Sequence, residues 1–531
     1  MPIVNIDNVG SIGIVSDLHE TTTPAEAFTS GRNIRFADNK VSRIRGFSEI
    51  FQTPWFIPYF LFPVHTTTSI FWVYADLNDV GAYNSSTHAE IGKGSGVYNA
   101  EFLKPWTGTM LGGLLCLANI NDTPQYWSQP SLSQLLADIP NWPAGYKAGV
   151  IVEYKNHLFA MNLNENSTLR PHKVLWSHPA DPGSMPTSWD VTDATVDAGE
   201  TELADDKSQQ IMNAKKLGNV LMIYKDQAVY SCVPRNDEFI FKFNPEFTSF
   251  GLASTHGISD VGNKKEHLVY TGEDLVLHNG QSANTILTNK RRRQLFNSID
   301  NTNYLASFVF NHINKQEIWF VYPTVNADFC NRVFVWNYEN NTFTDFETNN
   351  ILSLATSRID TNTDTLWSAA TSTWQSQSQS WNQYSPSPNM DLVFGYVSAA
   401  DQDNGLLYQL DVGHQQAGSN YTSYVERLGL SLVGYDRFGQ PKTNVVDKKL
   451  LTRIWPKMTG GPVTIKGIAQ DRIDGPAKYS APMTFDPGTD RYVDLPEPLQ
   501  GTLLGIRIES SANSGWDLHG YGLDIELLGE F

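Results

Sequence analysis

The fold is decided by NVLMIYKDQAVYSC (Asn219–Cys232), EHLVYTGEDLVLHNG (Glu266–Gly280), and the adjoining EIWFVYP (Glu317–Pro323) and RVFVWNYENNTFTDF (Arg332–Phe346). Each stretch contains apolar runs of about four to seven residues, rich in Val, Ile, Tyr, Phe and Trp, that end at Asp, Asn or Gly. This alternation is typical of β-hairpins. Because one hairpin cannot bury its apolar face alone, a row of them predicts stacked sheets. The sequence therefore predicts a repeat-built, all-β chain.

The same plan of two strands about a turn recurs on both sides of these stretches. It is found in Ile70–Asn84, Gly108–Trp127, Ala148–Glu165 and Leu392–Asp411. Counting each pair of strands as half of a four-stranded sheet gives material for about five to seven sheets before residue 415. A row of this many small four-stranded sheets predicts a β-propeller.

The composition changes at HQQAGSNYTSY (His414–Tyr424), a polar join after which the predicted strands are longer and no hairpin plan repeats. We therefore divide the chain into residues 1–420, a β-propeller with inserted loops, and residues 421–531, a C-terminal antiparallel β-sandwich-like domain. Within the first part, Asn33–Phe47 predicts a hairpin about an Asp38-Asn39 turn. Short helical segments are predicted at Ala25–Phe28 and Leu132–Ala137.

The composition excludes several classes of function. The 38 basic and 56 acidic residues give a net charge of -18, which disfavours tight binding of DNA through neutralised phosphates. Cys116, Cys232 and Cys330 are widely separated and support neither a disulfide framework nor a zinc site. No signal peptide is recognised, and the most apolar segment, Thr53–Val64, is too short to span a bilayer. These features predict a soluble protein made in the cytoplasm.

No motif predicts catalytic residues, a cofactor or a metal. The sequence has no Walker loop, Gly-x-Ser-x-Gly elbow or His-Glu-x-x-His helix. The DQDNG segment (Asp401–Gly405) resembles the start of a calcium loop but lacks the closing glutamate, so a hairpin turn is favoured. His172 and His178 are too far apart for a confident metal pair.

Lys290, Arg291, Arg292 and Arg293 form the one basic run of an acidic chain. They are our candidates for contact with an acidic partner surface or a phosphate backbone, and the alternative is a solvated face. Trp367, Trp374 and Trp381 fall seven residues apart. We interpret them as structural plugs, although stacked tryptophans could also bind sugars.

The opening segment SDLHETTTPAEAFTSGRNIRFADNKVSRIRGF (Ser16–Phe47) resembles the N-terminal part of the tail nozzle proteins of short-tailed phages, also called tail tubular protein B or tail hub proteins. The matching residues are Asn33, Arg35, Phe36 and Gly46, whereas Phe47 follows Arg45-Gly46 without the proline of the family pattern. Further similar blocks are VEYKNHLFAMN to VLWSHPADPGSMPTSW, NVLMIYKDQAVYSC, EHLVYTGEDLVLHNG, NKQEIWFVYP, the tandem Trp segment, RIWPKM and GYGLDIEL.

This resemblance implies a six-bladed propeller with additional β domains, assembled as a homohexameric ring below the portal and adaptor. The ring would be a conduit that retains genomic DNA and passes it during ejection without sequence-specific binding. Its other implied partners are the adaptor (head-to-tail connector) ring and tail fibres or spikes, and its implied location is the short tail of the virion, assembled in the host cytoplasm. An acidic channel wall would repel phosphates and let DNA slide. No enzymatic activity is expected.

Two alternatives of other classes stay open. A propeller-fold glycan-acting hydrolase would need acidic residues that converge at a pocket. The repeated Ser-x-Asp-x-Gly-x-x-Trp box of sialidases is absent from the sequence. A glycan- or receptor-binding tail protein could use the Trp segment as its platform.

Overall fold

The computed structural model describes residues 3–66, 69–84, 86–235, 240–262, 265–359, 391–397, 404–435, 437, 441–473 and 475–529. These residues form mostly β-strands, with one α-helix, α1 (Asn289–Phe296), and two 3-10 turns, Tyr304–Ala306 and Ile313–Lys315. No helix in these ranges combines the length and the apolar character needed to cross a membrane.

The strands fall into three groups along the chain. The N-terminal strands are β1 (Ile3–Asp7), β2 (Ser30–Arg32), β3 (Ile34–Ala37), β4 (Lys40–Arg43) and β5 (Phe47–Glu49). The middle strands are β6 (Phe60–His65), β7 (Ile70–Ala75), β8 (Val80–Tyr83), β9 (His88–Glu90), β10 (Thr107–Leu111), β11 (Leu114–Ala118), β12 (Gln125–Trp127), β13 (Ala137–Asp138), β14 (Tyr146–Tyr154), β15 (His157–Glu165), β16 (Thr168–Trp176), β17 (Gly199–Glu202), β18 (Ile211–Leu217), β19 (Val220–Lys225), β20 (Val229–Pro234), β21 (Phe241–Phe247), β22 (Ile258–Asp260), β23 (His267–Tyr270), β24 (Leu275–His278), β25 (Ala283–Thr285), β26 (Phe308–His312), β27 (Glu317–Tyr322), β28 (Cys330–Asn337), β29 (Thr342–Ser357), β30 (Asp391–Val397) and β31 (Gly405–Leu410). The C-terminal strands are β32 (Ser423–Leu430), β33 (Leu432–Tyr435), β34 (Pro441–Thr443), β35 (Lys448–Gly460), β36 (Val463–Gln470), β37 (Lys478–Tyr479), β38 (Met483–Phe485), β39 (Val493–Gly501), β40 (Leu503–Ser510) and β41 (Trp516–Gly529).

Five sheets contain four consecutive antiparallel strands each: β6–β9, β10–β13, β14–β17, β18–β21 and β22–β25. A seven-stranded sheet follows in the order β26-β27-β28-β29-β30-β31-β5. Its strand β29 is 16 residues long. The first part of β29 pairs with β28 and its last part pairs with β30, so the sheet contains two four-stranded units that share this strand. Strands β5 to β31 thus form seven four-stranded units, with β29 counted in two of them.

Apolar side chains close these units into a ring. Seven clusters of buried residues each combine side chains from two consecutive units. For example, Val73 of the first unit packs in one cluster with Leu117 of the second. The seventh unit meets the first in a cluster that contains Val393 and Trp72. The predicted all-β propeller is confirmed, but it has seven units where the family resemblance implies six.

The additional unit has two causes that a local sequence pattern does not show. Strand β29 passes from the sixth unit to the seventh without the interruption that marks the other boundaries. The seventh unit is completed by β5 from the N-terminal segment, where Phe47 pairs with Leu410 and Glu49 pairs with Tyr408. One strand therefore serves two units, and another comes from more than 300 positions away.

The predicted tight turns are confirmed. Strands β14 and β15 meet at Lys155 and Asn156, whose φ angles are 53° and 63°. Strands β3 and β4 meet at Asp38 and Asn39, whose φ angles are 52° and 58°. Two successive residues with positive φ are the signature of the type I′ hairpin turn, which matches the twist of antiparallel strands.

Both helical predictions were wrong. Ala25–Phe28 is a turn, and Leu132–Ala137 leads into β13, which pairs with β12. Packing favours an extended chain over a helix at Leu132–Ala137, because Leu136 is buried between the first two units. The indole nitrogen of Trp127 also donates a hydrogen bond to the Gln134 carbonyl oxygen at 2.8 Å, which holds this segment extended.

The C-terminal domain is an antiparallel sandwich of two six-stranded sheets. One sheet has the order β3-β4-β41-β35-β39, with β1 also paired to β41, and the other has the order β2-β32-β40-β36-β37, with β38 paired to β36. Their inner faces share one apolar core that includes Val4, Phe36, Ile465 and Trp516.

The N-terminal segment belongs to this sandwich as far as Arg43. The sequence-based division assigned residues 1–420 to the propeller, whereas β1 and β4 pair with β41 and β2 pairs with β32. A hairpin pattern predicts strands but does not identify the sheet that receives them. The chain therefore starts in the sandwich, enters the propeller at β5, and returns to the sandwich at β32.

Lys449 on β35 is fully buried in the sandwich, and its ammonium group donates to the carbonyl oxygens of Asn444 and Thr502. Burial lowers the pKa of Lys449 from 10.5 to about 8. Between pH 8 and 10.5 the unfolded chain holds this proton more tightly than the folded chain, so the wild type should gain stability as the pH rises.

We expect Lys449→Met to remove this gain, which is up to about 3 kcal/mol at 1.36 kcal/mol per pKa unit. The measurement is urea unfolding of both proteins from pH 7.5 to 10. The informative quantity is the difference in the free energy of unfolding between the wild type and Lys449→Met. A difference that stays constant across this range would contradict a low pKa for Lys449.

Candidate functional site at the propeller–sandwich junction

Two of the residues that carry the family resemblance, Asn33 and Arg35, lie where the two domains meet. Asn33 is 2% exposed and has a positive φ of 58°. Its amide nitrogen donates to the Thr422 carbonyl oxygen at 2.7 Å, and its amide oxygen accepts from the Glu347 backbone N–H at 2.8 Å. Its own backbone N–H donates to the Asp345 carbonyl oxygen at 2.9 Å. Asn33 thus connects the sandwich hairpin, the polar join and the sixth propeller unit.

Arg35, two residues further on, forms a buried ionic network with the propeller. Its Nε and Nη2 donate to the two carboxylate oxygens of Glu317 at 2.5 and 3.1 Å. Its Nη1 donates to Asp411 Oδ1 at 3.2 Å, and Asp411 Oδ2 contacts His312 Nε2 at 2.9 Å. Trp319 Nε1 donates to the second Glu317 oxygen at 3.0 Å. One guanidinium group on β3 therefore joins the sandwich to the sixth and seventh units.

Arg35 and Asp411 each shift the pKa of the other in the direction that favours its charged form. Burial alone would raise the pKa of Asp411, but the Arg35 guanidinium and then His312 outweigh it and hold this pKa well below its usual range. Burial would likewise lower the pKa of Arg35, but Glu317 and Asp411 raise it. Arg35 and Asp411 therefore stay ionised at neutral pH, and their contacts form a structural ion-pair network.

A cleft of about 640 Å³, which we call the junction cleft, opens beside the network and is lined by both domains. Its cationic side chains include Arg43, Arg45 and Lys315. Arg43 is 4% exposed and donates to the carbonyl oxygens of Tyr421 and Ser514. Because both acceptors are backbone carbonyl groups, the Arg43 charge is not neutralised by these hydrogen bonds.

His414 also lines the junction cleft. Burial, and then the nearby charges of Arg43 and Arg45, lower the pKa of this histidine. A histidine with a lowered pKa is neutral at pH 7. The net positive character of the cleft therefore comes from its arginine and lysine side chains.

A second cavity of about 450 Å³ between the domains is lined by Arg32 from β2, Arg291 from α1 and Arg332 from β28. We call it the three-arginine cavity. Arg32 Nη1 and Arg332 Nη2 lie 2.7 and 2.9 Å from the same oxygen, Glu347 Oε1. Asp345 also lines the cavity, and burial raises its pKa against the opposing effect of Arg332, Arg32 and Arg291.

The basic run Lys290–Arg293 lies in α1, between the fifth and sixth propeller units. Lys290 and Arg293 are exposed, whereas Arg292 pairs with Asp274 at 3.2 Å. The four side chains therefore do not form one surface. Whether the exposed pair contacts a partner stays a prediction.

Arg291 has a different environment from its neighbours in the run. Its guanidinium donates to the Ile14 carbonyl oxygen and lies 4.4 Å from the centre of the Phe343 ring. Burial lowers its pKa, and the nearby Asp17 and Asp345 oppose this effect. Arg291 thus attaches the N-terminal segment to the propeller and also faces the three-arginine cavity.

Two cavities within the propeller, of about 220 and 340 Å³, are each lined by residues from several units and share Pro105 and Leu305 in their walls. Phe60 and His256 line the smaller one. His256 Nε2 contacts the Trp106 carbonyl oxygen at 3.0 Å, and burial lowers its pKa to about 4. The smaller volume is below the roughly 300–1,000 Å³ of typical small-molecule sites, and the larger one is at the lower end of that range.

The remaining sequence candidates do not form a metal site in the described part of the chain. Across those ranges, no group of three or more His, Cys, Asp or Glu side chains is placed to hold a metal ion. His178 Nδ1 instead accepts a hydrogen bond from the Asp197 backbone N–H at 3.0 Å. Trp367, Trp374, Trp381 and the Asp401–Asp403 part of the DQDNG segment lie outside the described residues.

Comparisons with known proteins find only distant similarity to solved structures. No protein-family model matches the chain, and no curated protein matches it. Among solved structures, the WD40 β-propeller domain of Doa1 is 9% identical with a TM-score of 0.34, and the match covers 69% of this chain and 96% of that one. A fungal alcohol oxidase of the AA5 family in complex with copper is 7% identical with a TM-score of 0.40, covering 92% and 99%.

A third similar structure is the extracellular domain of a putative hybrid two-component system from B. thetaiotaomicron. It is 10% identical with a TM-score of 0.33, and the match covers 84% of this chain and 54% of that one. Because all three TM-scores are below 0.5, the propeller assignment rests on the strand pairing of this chain itself.

Proposed function

We propose that this chain is a structural subunit of the tail nozzle of a short-tailed phage and has no enzymatic activity. The observation that carries the proposal is the position of the residues that resemble the family. Asn33 and Arg35 hold the sandwich against the propeller through buried polar contacts. Gly46 allows the chain to enter the propeller, because a Cβ there would lie 1.8 Å from the Gln415 carbonyl oxygen.

A rigid junction between the sandwich and the propeller suits a subunit of a ring that encloses a channel. A buried bidentate ion pair fixes the relative position of the groups it joins, because breaking it would leave a charge without a partner. The N-terminal segment passes from the sandwich into the seventh propeller unit, so the two domains are also joined by strand pairing. A rigid two-domain body of this kind can resist pressure from packaged DNA.

In this proposal DNA passes between several copies of the chain. The two cavities within the described part of the propeller, of about 220 and 340 Å³, are far too small for a DNA duplex. A ring of six copies, as the resemblance implies, would enclose a wider channel. The net charge of -18 would weaken contact with phosphates along its wall. The adaptor ring would bind at one end of the nozzle, and tail fibres or spikes would bind around it.

The proposal is tested by electron microscopy of the purified chain, alone and mixed with the adaptor protein of the same phage. We expect six-fold rings with an open channel, and a mass by sedimentation that corresponds to six copies when the adaptor is present. Duplex DNA should not be retained by the rings at about 0.15 M salt, because an acidic wall does not release counterions from DNA. A chain that stays monomeric with the adaptor and has no fixed position in the virion would contradict the proposal.

A further inference from the structure

We propose that the three-arginine cavity is a binding site for a small oxyanion of the phosphate class, and that the bound anion bridges the sandwich and the propeller. Arg32 belongs to β2 of the sandwich, whereas Arg291 and Arg332 belong to α1 and β28 of the propeller. The three guanidinium groups line one cavity of about 450 Å³, which is within the range of small-ligand sites. This inference does not depend on the proposed tail function.

The arginines have donor capacity that the protein does not use. Each guanidinium offers five N–H donors in a planar fork that fits phosphate oxygens. Arg32 and Arg332 direct one nitrogen each to the same oxygen of Glu347. Arg291 directs one nitrogen to the Ile14 carbonyl oxygen. Among the described residues, these are the polar contacts within hydrogen-bond distance that the three guanidinium groups make, and each group has further N–H donors.

Three cations and three carboxyl groups lie around the cavity, and their pairing is uneven. Arg32 and Arg332 share Glu347, whereas Asp17 and Asp345 lie near Arg291. One carboxylate oxygen shared by two arginines neutralises the pair only in part. Burial raises the pKa of Asp345, and the nearby Arg332, Arg32 and Arg291 oppose this effect.

The shape of the cavity favours a small anion over a nucleic acid. Its walls come from both domains, and Tyr322, Phe334, Phe343 and Tyr424 contribute aromatic side chains to them. The side chains of Arg32 and Arg332 are 38% and 22% exposed, so a ligand from solvent can reach them. A free phosphate or pyrophosphate can enter such a recess, whereas a phosphodiester would have to bring its sugars and bases with it.

The test is titration calorimetry of the full chain with inorganic phosphate and with pyrophosphate, in a phosphate-free buffer with sodium chloride at matched ionic strength. We expect saturable binding to the wild type and an unfolding temperature that rises with phosphate. Arg332→Gln should weaken binding about tenfold or more, because it removes a charge-assisted contact. Arg32→Gln, on the sandwich side, should give a similar loss. It serves as the second variant if Arg332→Gln does not fold.

The matched control is Arg293→Gln, which removes the same charge from an exposed position on α1 and should bind phosphate as the wild type does. A short single-stranded oligonucleotide, added at the same concentration of phosphate groups, should not displace pyrophosphate. Absence of phosphate and pyrophosphate binding to the wild type, or an equal loss in Arg293→Gln and Arg332→Gln, would overturn the proposal. Displacement by the oligonucleotide would overturn the assignment to a small anion.

Discussion

Replacing Arg35 with methionine is expected to lower the free energy of unfolding by about 3–5 kcal/mol, the loss typical of breaking a buried ion pair from one side. The substitution leaves Glu317, which is 1% exposed, without its bidentate partner, and it also removes the cation beside Asp411. The measurement is urea unfolding followed by the combined fluorescence of the 14 tryptophans, which reports on unfolding of the whole chain.

Two further variants separate the ion pair from a general loss of charge or packing. Arg45→Met removes the same charge from an exposed position in the same segment and should change stability by less than about 0.5 kcal/mol. Adding Glu317→Gln to Arg35→Met should recover about 1 kcal/mol or more, because the amide no longer buries an unpaired charge. Equal effects of Arg35→Met and Arg45→Met would show that the buried network does not hold the junction.

The same network gives a pH dependence of known sign. Arg35 and His312 hold the pKa of Asp411 below its usual range, so its contribution to stability is present above about pH 4 and is lost as the pH falls further. In Arg35→Met the pKa of Asp411 should rise towards the value that burial favours. We therefore expect the acid-dependent loss of stability below about pH 4 to be smaller in Arg35→Met than in the wild type.

The sequence predicted the strands well because their signals are local. The hairpin at Lys155-Asn156 follows from two turn residues between alternating apolar runs, and the structure contains it. The fourth strand of the seventh unit could not be predicted in this way. Phe47 and Leu410 pair across 363 positions, and nothing in either segment identifies the other.

The candidate site was harder to predict than the fold, since it consists of single residues brought together by the junction. Arg35 and Glu317 are 282 positions apart. One signal was available: Arg35 interrupts the otherwise apolar Ile34–Ala37 strand, and a charged residue in such a run requires a buried partner. Arg32 and Arg332 carry no comparable signal, because isolated arginines are common on protein surfaces.

The basic run shows that neighbours in a sequence can have different surroundings in the fold. Lys290, Arg291, Arg292 and Arg293 are candidates for partner contact, which stays a prediction, and only Lys290 and Arg293 of the four are exposed. Only Arg291 reaches the three-arginine cavity, and the other two arginines of that cavity come from distant strands. A run of basic residues can be recognised in the sequence, whereas a binding site depends on which side chains the fold brings together.

The second large effect is expected at the strand that closes the propeller. Phe47→Ala should lower the free energy of unfolding by about 3–5 kcal/mol, the range for removing a buried phenylalanine. Phe47 is 3% exposed, and its ring lies edge-on to Phe394 and Tyr408 with centroid separations of 5.0 and 5.2 Å. Its backbone strand β5 is the only strand that pairs with the outer edge of β31 in the described residues.

Loss of this packing should also loosen the ring itself. When β5 leaves, β31 becomes an unpaired edge that can pair with other chains, so we expect faster aggregation together with the lower stability. Hydrogen exchange should show faster exchange of the β31 amides that pair with β5, while the amides of β36 and β40 in the sandwich keep their protection. Ser48→Ala, at the adjacent exposed position of β5, is the matched control and should stay within about 0.5 kcal/mol of the wild type. If Phe47→Ala lost less than about 1 kcal/mol, far below the range for a buried phenylalanine, closure by the N-terminal strand would not be what stabilises the propeller.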